Sequence, residues 1–592
     1  MRRRIPPYEG SFPDIAGPLY AARMTPADYA LIEGATCPHF SRDGRTLFHL
    51  RGHPAQLWAL DLATGQTRPL TQHDERVAMI RRAPKDDRII YGIDAGGDER
   101  QQLWLWDGAS RPLTDAPGVI HGFGAWHPDG TRISMTANDR DEAHFDVLTL
   151  DLTTGERTGL HQGRHEVTVG AWHPNGTRLV AMTEHATGDV RPFILDLDGG
   201  ATPLARAAPA DFARLRWKSG ALLGLTDAGR DFRALCRFDD GITPVFAPDA
   251  DVDAWAMAPG GESLATVENR GGYGVLRLGP LNGDRPDIAL PPGVVSEPSW
   301  SADGSMLAFS LSTPTEPPAL WVWEDGAARC VWRADPVPAI PFEAVEWTGH
   351  DGLRIPGWLA RPRGVPLAPA VVWVHGGPAS ESRPRFRADM QALLAEGIAV
   401  LMPNVRGSTG LGRQRMMADD LARRLDSVAD LAAGGRWLAA QPGIDPTRIA
   451  VMGQSYGGFM VLSALTEYPE LWRCGIDFYG ISDFGTLLAG TGPWRRAHRA
   501  AEYGEPVRHR ALFDRISPLG HVDRIAAPLL VLHGTRDPRV AIAESEQLVE
   551  AMGQRGKAVA YEVFDDAGHG FVRAADRVRA WEAVADFLRR TL

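Results

Sequence analysis

Three short apolar runs toward the carboxyl end are each followed by a residue type able to take part in acyl transfer. After Ile449-Ala-Val-Met452 comes Gly453-Gln-Ser455-Tyr-Gly457, after Leu529-Leu-Val-Leu532 comes His533-Gly-Thr-Arg-Asp537, and after Tyr561-Glu-Val-Phe564 comes Asp565-Asp-Ala-Gly-His569. A serine hydroxyl is a weak nucleophile at neutral pH, so it needs a base to take its proton. The base needs a carboxylate to fix its tautomer and stabilise the imidazolium that forms. Ser455, His569 and Asp537 are the residues of the right types in the right places. Asp565 and Asp566 compete with Asp537, but they lie so near His569 in sequence that they read as turn residues. His533 competes with His569, yet its place directly at a strand end reads as a packed histidine.

A glycine, any residue, serine, any residue, glycine pattern is weak evidence alone, because Gly and Ser are common in loops. Its meaning comes from context. A strand, a sharp turn and a helix would lift Ser455 clear of the backbone, with glycines allowing strand and helix to approach closely. The order Ser, Asp, His on separate loops after strands is that of α/β-hydrolases. A fourth strand, Ala370-Val-Val-Trp-Val374, runs into His375-Gly-Gly-Pro378. Backbone N–H groups of such a glycine-rich loop can face a developing oxyanion, and the N–H of Tyr456 is the expected second donor.

The elements that must hold these residues alternate. Buried-type strands at Ala370–Val374, Ile398–Met402, Ile449–Met452, Pro528–Leu532 and Val559–Phe564 are separated by helix-period segments at Phe386–Leu394, Leu421–Leu438, Phe459–Thr466, Ile542–Met552 and Val578–Leu592. An antiparallel lead-in, Ile340–Trp347 and Ile355–Ala360, precedes them. Near-continuous apolar strands alternating with helices predict a doubly wound, mostly parallel sheet, with ligands at the carboxyl ends of its strands.

The first half is different in kind. Phe40-Ser-Arg-Asp-Gly44, Trp126-His-Pro-Asp-Gly130, Trp172-His-Pro-Asn-Gly176 and Trp300-Ser-Ala-Asp-Gly304 repeat one pattern, with weaker copies at Ala83–Asp87, Trp217–Gly220 and Met257–Gly261. Hairpin signatures such as Leu57–Leu62 before Thr64-Gly65 and Val147–Leu152 before Thr154-Gly155 lie between them. Seven copies spaced by roughly 40–46 residues predict a seven-bladed β-propeller. The expected division is 1–34 as an N-terminal segment packing on the catalytic unit, 35–335 as propeller and 336–592 as catalytic domain.

At 592 residues the chain is too long for one core. Its net charge of −11 argues against nucleic acid or an anionic membrane as partner. Met1-Arg-Arg-Arg4 runs into Ile5-Pro-Pro-Tyr8 rather than an apolar stretch, which predicts no secretory signal and no membrane span. Cys37, Cys236, Cys330 and Cys474 match no metal or redox spacing and fit a reducing compartment, the cytoplasm. No cofactor or metal is expected; a homo-oligomer is compatible with the exposed surfaces.

His375-Gly-Gly-Pro378, Pro403-Asn-Val-Arg-Gly-Ser-Thr-Gly410, Gly453-Gln-Ser-Tyr-Gly-Gly458, His533-Gly-Thr-Arg-Asp-Pro-Arg-Val540 and Gly568-His-Gly-Phe571 together resemble the prolyl oligopeptidase family of serine peptidases, most closely its acylaminoacyl peptidase branch. The resemblance implies a propeller that caps the active site and excludes folded proteins, leaving short peptides as substrates. It assigns Ser455, Asp537 and His569 to a triad and the N–H groups of Gly377 and Tyr456 to an oxyanion hole. The chain departs at Leu411-Gly412, at Ala418-Asp-Asp420 and at Asp566-Ala-Gly568, all outside the triad.

Specificity residues are read more broadly. Tyr479, Phe484, Trp494 and Val540 are candidates for an apolar side-chain pocket or ordinary core. Arg406, Arg495, Arg496 and Arg539 are candidates for holding a substrate carbonyl or carboxylate, which leaves a carboxypeptidase-like action open, or for structural ion pairs. Glu99, in Gly96-Gly-Asp-Glu99-Arg100, either receives a substrate amino terminus or sits on a solvated hairpin tip. An esterase of the same fold remains the alternative chemistry.

Overall fold

The computed structural model describes residues 24–204, 208–218, 220–239 and 241–592. Most of the N-terminal segment, residues 1–23, lies outside the described residues. The described remainder carries the short helix Pro26–Ala30, whose Ala30 carbonyl accepts from Arg577 and whose Tyr29 hydroxyl donates to the Pro338 carbonyl.

Between Ala35 and Trp332 the chain forms seven consecutive antiparallel sheets, each built from sequential strands. Six have four strands; the sheet of Val252–Met257, Leu264–Arg270 and Tyr273–Gly279 has three, with an isolated bridge from Arg277 to Asp287 beside it. The first strands of neighbouring sheets pack on one another, so they are the innermost strands of a seven-bladed propeller.

The recurring sequence motif has a physical cause. In its turns Asp43, Asp129, Asn175 and Asp303 each accept the backbone N–H two residues on. The glycine between adopts φ of +73° to +77°, a conformation that side chains disfavour. The aromatic residue entering the turn ties adjacent blades: Trp126 donates its indole N–H to the Arg81 carbonyl, and Trp300 to that of Ala256. First and last blades share no strand. They meet through Ala35, Phe40, Leu47 and Leu60 packed on Ala308, Leu320 and Val322.

The second unit is an eight-stranded sheet. Its order is Glu343–Thr348, Arg354–Ala360, Ala399–Pro403, Ala368–Val374, Ile444–Gln454, Cys474–Phe478, Leu529–Gly534 and Val559–Phe564. The first two pairs in this order are antiparallel and the remaining five are parallel. Ala368–Val374 is buried along its whole length, as expected for a strand covered by helices on both faces. The strand Cys474–Phe478 and the helices Phe484–Gly490, Pro493–Tyr503 and Arg510–Ile516 were not among the expected elements. No helix among the described residues is long and apolar enough to cross a membrane.

Candidate active site

Strand Ile444–Gln454 ends at Ser455, and helix Tyr456–Glu467 begins at the next residue. Ser455 has φ +57° and ψ −121°, a region that non-glycine residues enter only when the surroundings force it. The forcing is visible. A Cβ on Gly457 would lie 2.4 Å from the Val374 carbonyl oxygen, and one on Gly453 would lie 2.4 Å from that of Gly457. Only glycines let strand, turn and helix pack this closely, while the Ser455 N–H is held by the Phe478 carbonyl at 2.9 Å.

Ser455 and His569 line one cavity of about 590 Å³ between the two units. His569 Nδ1 donates to Asp537 Oδ2 at 2.6 Å, and Asp537 Oδ1 accepts the N–H groups of Arg539 and Val540 at 2.8 and 2.9 Å. Burial works to raise the Asp537 carboxyl. The imidazoles of His569 and His533 outweigh it, and the group lies well below the usual carboxylate range. Tyr479 packs its ring 4.6 Å from that of His569, and its hydroxyl donates to Gln454 Oε1. His533 is fully buried between the Ser545 hydroxyl and the Val540 carbonyl, a packed histidine as expected from its position.

Gly376 and Gly377 form the cavity wall beside Ser455. A Cβ on Gly376 would lie 2.8 Å from the Gln454 carbonyl oxygen, and Gly377 has φ +127°, so two glycines are needed to lay this loop against the elbow. His375 anchors it from below, with Nε2 2.9 Å from the buried Ser408 hydroxyl. The Tyr456 ring points inward, where its hydroxyl donates to Asp419 at 2.9 Å and meets Ser427 and Arg424. Tyr456, the residue that follows Ser455, is therefore fixed through its own side chain.

The predicted specificity residues separate. Tyr479 and Arg539 line the cavity. Arg406 does not: its guanidinium is buried and shared between Asp430 and Asp351, a structural ion pair. Trp494 packs instead against Phe145, Val147 and Phe193 of the propeller, where its helix docks. Val540 and Phe484 belong to the core beneath the sheet, and Val540 serves through its backbone. Glu99 spends its charge on Arg539 and Arg495, so it is neither a solvated tip nor a free receptor for an amine. Arg496 bonds the Ala489 carbonyl on its own side of the unit.

Sequence reasoning missed the acidic wall opposite Ser455. Glu184, Asp211 and Glu381 all line the cavity. Burial, then the neighbouring charges of Glu166 and Asp211, push Glu184 up to about 7. Burial also raises Glu381 to about 7, against the pull of Arg383 and with a push from Asp253. Asp211 is raised by burial despite Arg233. His498, 3.4 Å from Glu184, is lowered to about 4 by burial and by Arg499 and Arg495, so it brings no positive charge at neutral pH. Arg385, Arg387, Arg499 and Arg539 line the same cavity, and Arg233 and Arg383 lie 3.6 and 3.5 Å from Asp211 and Glu381, yet burial still holds the three carboxyls raised.

A seven-bladed propeller over an α/β-hydrolase unit, with a strained serine and a histidine–aspartate pair at their junction, defines a propeller-capped hydrolase of the serine type. The prolyl oligopeptidase family profile matches residues 384–592. The chain therefore carries, over residues 384–592, a domain of the prolyl oligopeptidase family of serine peptidases. Dipeptidyl aminopeptidase BIII of Pseudoxanthomonas mexicana is 29% identical over 579 residues, covering 89% of this chain and 82% of the relative. The human acylamino-acid-releasing enzyme is 26% identical over 303 residues, 46% of this chain and 41% of that protein. A crystal structure of puromycin hydrolase superposes with a TM-score of 0.86 at 22% identity over 96% of each chain.

Proposed function

We propose that this protein is a serine exopeptidase that acts on short peptides from their free amino ends. In this reading residues 336–592 catalyse and residues 35–335 form a lid that limits substrate size. Ser455 Oγ attacks the scissile carbonyl while His569 takes its proton, and Asp537 holds the imidazolium that results. The N–H groups of Gly377 and Tyr456 receive the tetrahedral oxyanion, a contact worth about 3–4 kcal/mol per donor. His569 then protonates the leaving amine, and water hydrolyses the acyl-enzyme by the same steps in reverse.

The observation that carries the reading is the strained Ser455 sharing a cavity with the Asp537-bonded His569. The amino-end preference rests on the acidic wall: Glu184, Asp211 and Glu381 face that cavity with carboxyls raised by burial, which a nearby ammonium group would stabilise in their charged form. The dipeptidyl aminopeptidase relative supports the same direction. An acylated end would bring no charge to that wall. The four cysteines are all free thiols, which supports a cytoplasmic location.

The experiment pairs fluorophosphonate labelling with a substrate panel. Wild type should be labelled and the Ser455→Ala variant should not. Free aminoacyl and dipeptidyl amides should be turned over with higher kcat/KM than their N-acetyl counterparts. Preference for the acetylated substrates would reject the amino-end reading, and absence of labelling would reject the nucleophile.

A further inference from the structure

A position near the end of the innermost strand recurs in every blade. Counting back from the residue that opens each turn, that position holds His39, Arg81, Ala125, Ala171, Arg216, Ala256 and Ser299. Four are small and leave the axis open. Arg81 and Arg216 are exposed although they lie on innermost strands, so their side chains reach solvent inside the axial channel. Arg214, also exposed, sits one step nearer the catalytic unit on the same strand as Arg216, and Lys218 one step farther.

These cations are unmatched. Among the described residues none of Arg81, Arg214, Arg216 and Lys218 forms an ion pair, and Arg81 bonds only the Ile80 carbonyl beside it. The carboxylates in reach, Glu297 and Asp253, act on Arg214 but form no ion pair with these cations. Glu297 gives its oxygens to the N–H and thiol of Cys37, and Asp253 is held by Arg383 and Arg233. Burial and the Arg81 and Arg214 charges draw Arg216 down to about 10. Burial and the same arginine cluster hold His39 near 3, so it stays neutral. The strand Phe212–Lys218 thus leads from Asp211 in the acidic cavity wall to Arg216 and Lys218, which have no ion-pair partner among the described residues.

We propose that this cluster is a carboxylate site that receives the free carboxyl terminus of a peptide whose amino end lies in the catalytic cavity. The proposal rests on the amino-end peptidase reading above. The five steps from Asp211 to Arg216, bulged at Arg214, span at most about 16 Å at about 3.3 Å per residue, so an extended peptide of about six residues bridges them. The channel then reads length and end chemistry together: hexapeptides reach the cations and dipeptides do not.

The test is equilibrium binding by calorimetry to the full chain carrying Ser455→Ala, which removes turnover from the readout. The probes are an alanine–glycine hexapeptide with free carboxyl terminus, its carboxamide, and an alanine–glycine dipeptide. The acid should bind about tenfold tighter than the amide at low salt, the range of a charge-assisted contact moderated by solvent, with the ratio shrinking as salt rises. Arg81→Gln with Arg216→Gln should bring the ratio to within about twofold of unity and leave dipeptide affinity unchanged. Arg81→Lys with Arg216→Lys should retain most of the preference. Equal affinity of acid and amide, or a ratio untouched by the glutamine pair, overturns the channel site. Either result leaves the peptidase reading intact, whereas an unlabelled Ser455 rejects that reading without altering the binding ratio.

Discussion

Asp537 stays ionised across the working pH range because its carboxyl is held below the usual range by two imidazoles, so it orients His569 at every pH at which the chain is folded. Replacing it with asparagine keeps the shape but favours the wrong tautomer, and kcat should fall about 10⁴-fold, as read by steady-state turnover of a dipeptidyl amide. The acidic wall behaves oppositely. Glu184 and Glu381 are raised to about 7, so they are neutral below that pH and ionised above it. A substrate amine is protonated below about 8. The preference for free over acetylated amino ends should therefore peak between about pH 7 and 8 and fall on the acid side as the wall protonates. For stability the sign is also set: a raised carboxyl favours the folded state less as pH climbs from 4.5 toward 7. Glu184→Gln should thus raise the melting temperature at pH 8 while weakening the preference for free amines. Ser455, Asp537 and His569 were legible because each follows an apolar run in one stretch of sequence. Glu184 and Asp211 were not, since they lie on the propeller and only the docking of the two units brings them opposite Ser455.

At the scale of elements, the turn that carries Ser455 is held by close backbone approach rather than by side-chain bonds. Gly457→Ala puts a methyl 2.4 Å from a carbonyl of the neighbouring strand, where no flexible side chain can yield. A loss of about 2–3 kcal/mol in urea unfolding is expected. Beneath the turn, Asp419 and Arg424 are fully buried around the Tyr456 hydroxyl. Asp419→Ala would leave the buried guanidinium with only the more distant Asp420, 3.9 Å away, as an ion-pair partner and should cost about 3 kcal/mol, read from the denaturation midpoint. The sheet's strands were mostly readable, since burial on both faces gives continuous apolar runs. Cys474–Phe478 escaped because Gly475 and Asp477 interrupt its run, even though all five residues are buried. Helix Pro493–Tyr503 escaped because it docks on the propeller and carries Arg495, Arg496, His498 and Arg499 over most of its surface.

Across the whole molecule, the propeller was legible because its turns demand the same residues seven times, and the periodicity survives where single copies are weak. What the period does not encode is which loops face the catalytic unit. That contact is carried by pairs such as Arg383 with Asp253, Arg413 with Asp227 and Arg573 with Glu75. If the lid governs access, a blocked or free short peptide should be cleaved while an unfolded protein chain is left intact; equal cleavage of both would remove size selection. The seam between first and last blades adds a thermal consequence. Its apolar side chains hold through water's reluctance to surround them, which weakens on cooling, whereas the Ala35 N–H bond to the Pro318 carbonyl and the bonds from Cys37 to Glu297 do not depend on that effect. A ring closed by a shared strand would lock its halves at every temperature. This one has a clasp of two kinds, so chilling should slacken its apolar share while the polar bonds across it hold.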